Sequence, residues 1–321
     1  MENNKSFFGT QGILIVILGL TGTLSIALMI LFKAKISDAQ NQNVIVKNKD
    51  IAANIKTQQR LEEFKTEMLT SWQQEAQAKG FSTDVPSNFQ GIVISEAKLP
   101  PEKKVIALTF DDGPWPSSTA KVLDILKKNN IKGTFFVVGQ NVKTYPDLTK
   151  RVVTDGHVIA NHTWHHWYHH MNAQAAAYEV ANTTDIIYQT TGVKTSLFRP
   201  PGGIMSNGVA AYAKSNKYAI IMWSADSMDY ARPGVPRLMN NIFREAKPGG
   251  IVLMHDGGGD RSHTVTALPE IISKFRKQGY EFVTVPELLE MQDQYPHLLA
   301  QKSQKAVKTL KSQTSQEPKK P

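Results

Sequence analysis

From Ser6 to Phe32 no charged side chain interrupts the chain, and residues 11–33 are mostly Ile, Leu, Val, Gly and Thr. At helical rise such a run is long enough to cross a bilayer, so it predicts a transmembrane anchor after a short N-terminal segment, residues 1–10. A cleavable signal peptide is the rival reading, but the run is long for one, and no small-x-small site precedes Lys33-Ala34-Lys35. Polar residues then dominate, with Ile51, Ile55, Leu61, Phe64, Met68 and Trp72 at mostly three- and four-residue steps. That period marks one apolar stripe on a helix, so residues 34–99 read as a helical stalk and linker. Self-association along the stripe is compatible with its spacing. Pro86, Gly91, Pro100 and Pro101 punctuate the linker end, with one short strand at Ile92 to Ile94.

From Lys103 onward, short β-branched or aromatic runs alternate with helical segments. The predicted strands are Val105–Phe110, Thr134–Val138, Val158–Ala160, Leu197–Arg199, Tyr218–Trp223, Ile251–Met254 and Glu281–Val283. Between them lie helical stretches such as Thr119–Asn129, Ala173–Thr191, Val235–Ala246 and Val265–Gln278. This alternation predicts an α/β domain over residues 100–290, with about seven parallel strands curled into a closed or nearly closed (β/α) barrel. The candidate polar residues fall at strand ends, which in such a barrel share one face.

Composition changes the picture in two places. The chain of 321 residues has no cysteine, which excludes disulfides and thiolate metal sites. Its formal net charge is +9, and the segment from Gln301 holds six lysines against Glu317, so the tail supplies more than half of that excess. Residues 291–321 therefore read as a basic disordered tail, by default solubilising and alternatively a contact for an anionic wall polymer or lipid, and the domain itself carries no sign of a nucleic-acid groove.

The candidate chemistry centres on His162-Thr163-Trp164-His165-His166. His162 and His166 are four apart, so on a helical turn both imidazoles would leave one face; His165, His169 and His170 crowd the same stretch and leave the register open. Asp112, in Thr109-Phe110-Asp111-Asp112-Gly113, would complete three ligands. Two imidazoles and a carboxylate suit zinc or a similar first-row divalent metal, and three protein ligands leave a position for water, the mark of a catalytic site.

Five ordered segments carry a resemblance: Thr-Phe-Asp-Asp-Gly at 109–113, His-Thr-x-x-His at 162–166, Arg-Pro-Pro at 199–201, Asp-Ser-x-Asp at 226–229 and Leu-x-His at 253–255. Over roughly Pro101 to Glu290 the chain resembles the polysaccharide deacetylases, the NodB-homology group or carbohydrate esterase family 4. The resemblance implies a deformed (β/α) barrel that removes acetyl groups from an N-acetylated glycan with a divalent metal, zinc first, cobalt or nickel as alternatives. It also implies that Asp111 is the base, Arg199 orients it, Asp112, His162 and His166 hold the metal, His255 is the acid and Asp229 orients that acid. Gly202 would offer its backbone N–H to the oxyanion, and Leu253, Tyr230 and Pro201 would bind substrate. Most relatives have Tyr at the position of Gly202, and the family has Trp where Tyr230 stands.

Anchor and stalk together resemble the membrane-anchored peptidoglycan N-acetylglucosamine deacetylases. The expected protein is thus a single-pass membrane hydrolase whose catalytic domain faces the cell wall. Lys33 and Lys35, just after the apolar run, pull the other way under the positive-inside tendency, and the functional expectation overrides them. The alternatives are another glycan, such as chitin-like oligomers, poly-N-acetylglucosamine or acetylxylan, or a catalytically silent wall-binding protein.

Overall fold

Strand β2 (Val105–Asp111) is buried at all seven positions, as a strand is when both faces of its sheet are covered. The computed structural model describes residues 33, 35, 54–60, 63 and 85–296. The chain divides into two units, Met1–Glu67 and Met68–Pro321. In the first, residues 54–60 are helical and exposed. Apart from Lys33, the stretch expected to span a membrane lies outside the described residues, among which no helix is long and apolar enough to cross a bilayer. The tail from residue 297 also lies outside them.

The second unit is built on one sheet of nine strands. Besides β2 they are β1 (Val93–Ile94), β3 (Thr134–Val137), β4 (Val158–Asn161), β5 (Leu197–Phe198), β6 (Ala219–Ile221), β7 (Ala225–Asp226), β8 (Gly250–His255) and β9 (Glu281–Val283). The order is β1-β6-β5-β4-β3-β2-β8-β7, and every ladder is parallel. One edge of β2 is taken by β8; the other is shared by β9, against Val105 to Ala107, and β3, against Thr109 to Asp111. β1 and β7 do not pair. Residues 94–97 bridge part of that gap, since Met222 N–H donates to the Ile94 carbonyl and Ala97 N–H to that of Gly249. The result is a curled, incompletely closed barrel.

The connecting helices are α1 (Thr119–Lys128), α2 (Gly139–Thr144), α3 (Pro146–Thr154), α4 (Ala173–Thr191), α5 (Val209–Ser215), α6 (Val235–Glu245) and α7 (Ser262–Lys277). Four of these lie where the pattern predicts helices. The others, α2, α3 and α5, are nine residues or shorter and bury only two or three side chains each, too little for a legible stripe.

Alternation along the strands sorts two cores. Ile106, Leu108 and Phe110 of β2, with Val252 and Met254 of β8, point outward into a core shared with the helices. Val105 and Ala107, with Phe136, Ala160, Leu197, Ile221 and Ile251, fill the barrel interior. Continued two residues at a time, the interior rows reach Asp111 on β2 and His255 on β8, and run past β4 and β5 to His162 and Arg199.

The segment expected to be linker belongs in part to this domain. Val85, Phe89, Ile94 and Ala97 are buried in the interior cluster, and Pro86 leads into a 3-10 turn, Ser87–Phe89, rather than a free tether. At the other end, residues 285–296 are helical, so the domain runs past residue 290. Phe89→Ala should therefore lower the unfolding free energy by about 3–5 kcal/mol, as for a buried aromatic. An unchanged urea midpoint would return residues 85–97 to the linker.

Candidate active site

Strand register brings the polar side chains together. Asp111 is the partner of His255 across β2 and β8, and Asn161 pairs with Phe198, so the next residues, His162 and Arg199, leave β4 and β5 at one level. Asp111, Asp112, His162, His166, Leu253 and His255 all line one cleft of about 660 Å³, together with Gly202 and Tyr230. Arg199 and Asp229 stand behind it, both buried. Pro201, expected to touch substrate, is buried in the 3-10 turn Pro201–Gly203, and Pro200 lines the cleft in its place.

The Arg199 guanidinium lies inside the barrel with no exposed surface. Its Nη1 donates to Asp111 Oδ1 at 2.6 Å and to Thr109 Oγ1 at 2.9 Å, and Nε and Nη2 donate to the Ile221 and Met222 carbonyls. It also lies 4.0 Å from the centroid of the Phe136 ring. A carboxylate fixed at one oxygen by a buried cation keeps the other, Oδ2, toward the cleft side, where His162 Nε2 is 3.7 Å away.

Asp112, His162 and His166 present three ligand atoms that lie within 4.8 Å of one another. Asp112 Oδ1 is 3.0 Å from His166 Nε2 and 3.5 Å from His162 Nε2, yet it is buried without a hydrogen-bond partner. Burial pushes the Asp112 carboxyl up, but His162 and His166 outweigh that and hold it well below the usual carboxylate range. His162 Nδ1 is 2.7 Å from the Arg199 carbonyl, which can only accept. The hydrogen therefore sits on Nδ1, which leaves Nε2 as the ligand atom toward the cleft. An orphaned buried oxygen facing the Nε2 atoms of two imidazoles fits a divalent first-row cation.

The loop that carries the two histidines is not a helical turn. Residues 162–172 are irregular, and Thr163 and His166 take φ of 68° and 62°. The helical spacing read from the sequence is replaced by a clasp. Glu179 of α4, almost fully buried, accepts from the Trp164 and His165 N–H groups at 2.9 and 2.8 Å and holds His165 Nδ1 with its other oxygen. His165, one of the histidines that leave the register open, is thus tied to Glu179 and stacked on Trp167 at 4.0 Å. No motif marks Glu179, a charged residue on the buried face of α4 beside Ala176, Val180 and Thr183.

The opposite side of the cleft holds a second couple. His255 Nδ1 lies 2.6 Å from Asp229 Oδ1, and its backbone N–H donates to Oδ2 at 2.8 Å. Thr264 Oγ1 also donates to Oδ2, and Arg261 Nη1 reaches the Asp229 carbonyl at 3.3 Å. Burial would lower the His255 pKa; Asp229, with Asp112 and Asp111 behind it, overcomes that and pushes it up to about 9. The Tyr230 ring stands edge-on to His255 at 5.8 Å. Thr264 and Arg261 are further residues that motif reading does not reach.

The cleft can therefore hold a cation, accept a proton at Asp111 and give one from His255. Glu179→Ala should weaken zinc binding by about 10–100-fold, the usual range for loss of a group that orients a ligand. Competition with a chromophoric chelator measures it, and an unchanged affinity would show that the loop holds its shape without the clasp.

A profile described as polysaccharide deacetylase matches residues 98–221. A peptidoglycan-N-acetylglucosamine deacetylase of Bacillus cereus is 42% identical over 194 residues, covering 60% of this chain and 91% of the relative. Among solved structures, the Bc1960 peptidoglycan N-acetylglucosamine deacetylase superposes with a TM-score of 0.58 at 33% identity, over 63% of this chain and 94% of that one. A CE4 family pseudoenzyme from Bacillus anthracis gives a TM-score of 0.57 at 30% identity, over 62% and 69%. Identity of this level across nearly the whole of the Bacillus cereus relative, on a shared parallel α/β fold, shows that the chain belongs to the polysaccharide deacetylase family, carbohydrate esterase family 4.

Proposed function

We propose that the protein removes the acetyl group from N-acetylglucosamine residues of peptidoglycan, releasing acetate, with a divalent ion, zinc foremost, held by Asp112, His162 and His166. The observation that carries this reading is the placement of a buried Arg199–Asp111 pair and a buried Asp229–His255 pair in one cleft around a three-ligand cation site. The relatives named for peptidoglycan deacetylation support the choice of polymer.

An acetamide is a poor electrophile. The bound ion would supply Lewis acidity, polarising the carbonyl and acidifying a nearby water. Asp111, held at Oδ1 by Arg199, takes the proton as the water oxygen adds to the carbonyl carbon. The negative charge that develops on the former carbonyl oxygen needs a donor, for which the Gly202 backbone N–H is the candidate. The C–N bond then breaks. His255, whose Nδ1 is committed to Asp229, gives a proton from Nε2 to the departing amine, leaving acetate and a glucosamine unit.

The apolar run at residues 11–33 would tether the enzyme to the membrane, with the barrel outside it and in reach of the wall. That topology is part of the proposal, and protease access to the segment before residue 85 in intact protoplasts tests it.

Two outcomes follow for activity. Purified wall treated with zinc-loaded enzyme should release acetate, and mass spectrometry of its muropeptides should find the acetyl mass lost from glucosamine units. Asp111→Asn should cut the rate by about 10²–10⁴-fold, the worth of a positioned base. No acetate after loading with zinc, cobalt or nickel would mean a silent protein. Because His255 acts protonated and its pKa is raised to about 9, kcat/KM should fall as pH rises through about 9. Asp229→Asn should move that alkaline limb down toward about 6.5, the ordinary imidazole value; a limb that stays in place would remove His255 from the acid role.

A further inference from the structure

Two rings on the ligand loop are exposed beside the cleft, and their surroundings separate them. Trp167 is 42% exposed, but its ring is stacked on His165 at 4.0 Å and overlapped by His169 at 5.0 Å. Tyr168 is 56% exposed, touches His166 only edge-on, at 5.1 Å and 84°, and lines the cleft. Its hydroxyl has no hydrogen-bond partner among the described residues. An exposed aromatic ring and its hydroxyl thus belong to the wall of the cleft.

The ring also leans across to the loop that follows β5. A Cβ added to Gly202 would meet Tyr168 Cε1 at 2.9 Å and Cδ1 at 3.3 Å, closer than side chains pack. Gly202 has φ of 60°, where a side chain is strained in any case. The bare backbone at 202 therefore leaves a notch that the tyrosine from the neighbouring loop fills.

We propose that Tyr168, seated on Gly202, is a substrate-positioning residue: its ring and hydroxyl form the cleft wall that orients the N-acetylhexosamine unit being deacetylated. This rests on the deacetylase reading above. A pyranose presents apolar C–H faces and a rim of hydroxyls, and a tyrosine offers a surface for each. Because Tyr168 touches the sugar and not the reacting bond, its contribution is binding shared by ground and transition states, which appears in KM.

The test uses zinc-loaded full-length enzyme and oligomers of N-acetylglucosamine. Tyr168→Ala should raise KM by about tenfold with kcat within about threefold, the signature of lost uniform binding. Tyr168→Phe should fall between, with the thermal midpoint and zinc affinity of the parent, which separates the hydroxyl from any effect on folding or on His166. Gly202→Ala should lower kcat/KM on the parent background, and much of that loss should vanish on the Tyr168→Ala background, since the atom it strikes is gone. Unchanged KM in Tyr168→Ala, or strict additivity of the pair, overturns the proposal. Oligomer binding, titrated by tryptophan fluorescence, reads the wall independently of turnover. If the parent releases no acetate, the deacetylase reading fails, whereas weaker binding by Tyr168→Ala would still support the wall. Equal binding by both proteins sinks the wall whatever the chemistry.

Discussion

A guanidinium with no exposed surface sits inside the barrel, and the upper end of the sheet is arranged around it. Removing a charge from water is costly, and a buried pair persists only where both partners are fully engaged. Arg199 meets that condition with a carboxylate, a hydroxyl and two main-chain carbonyls, drawn from β2 and from the end of β6 and the residue after it. The same residue's own carbonyl accepts from His162. One arginine thus fixes the orientation of the carboxylate on one side and the tautomer of an imidazole on the other.

Much of this is legible in the sequence. β-Branched runs gave the main strands, and alternation within them carries Asp111 and His255 onto the interior face, where the parallel register aligns them. Other features resisted sequence reading for definite reasons. The two-residue β7 is too short to carry a period. The four-residue spacing of His162 and His166 suggested a helix, but the loop is shaped instead by a carboxylate from α4, and a tertiary contact of that kind leaves no local pattern. Residues 85–97 carry the Pro and Gly of a linker, yet their few apolar side chains are enough to enter the interior. The motif points Pro201 at the substrate, but the turn buries it and Pro200 lines the cleft.

Fold alone does not assign activity in this family, since a protein described as a pseudoenzyme superposes on this chain almost as well as a named deacetylase does. The functional reading therefore stands on side chains. The family profile ends at residue 221, so Asp229 and His255 lie beyond it, and their pairing is known from the geometry of the second half of the sheet. Thr264 and Arg261, at the start of α7, hold Asp229 from behind.

The position of β2 bears on how the molecule is made. The Thr109 hydroxyl donates to a carbonyl 143 residues further along the chain, that of Val252, and β9, later still, closes the other edge of β2 near its start. Contacts so distant in sequence form slowly because a long loop must first be closed. A ribosome delivers β2 well before β8 and β9 exist, so until then it can pair only with β3, along Thr109 to Asp111. Until β8 and β9 emerge, the unpaired edges of that strand are an aggregation hazard that chaperones would have to manage.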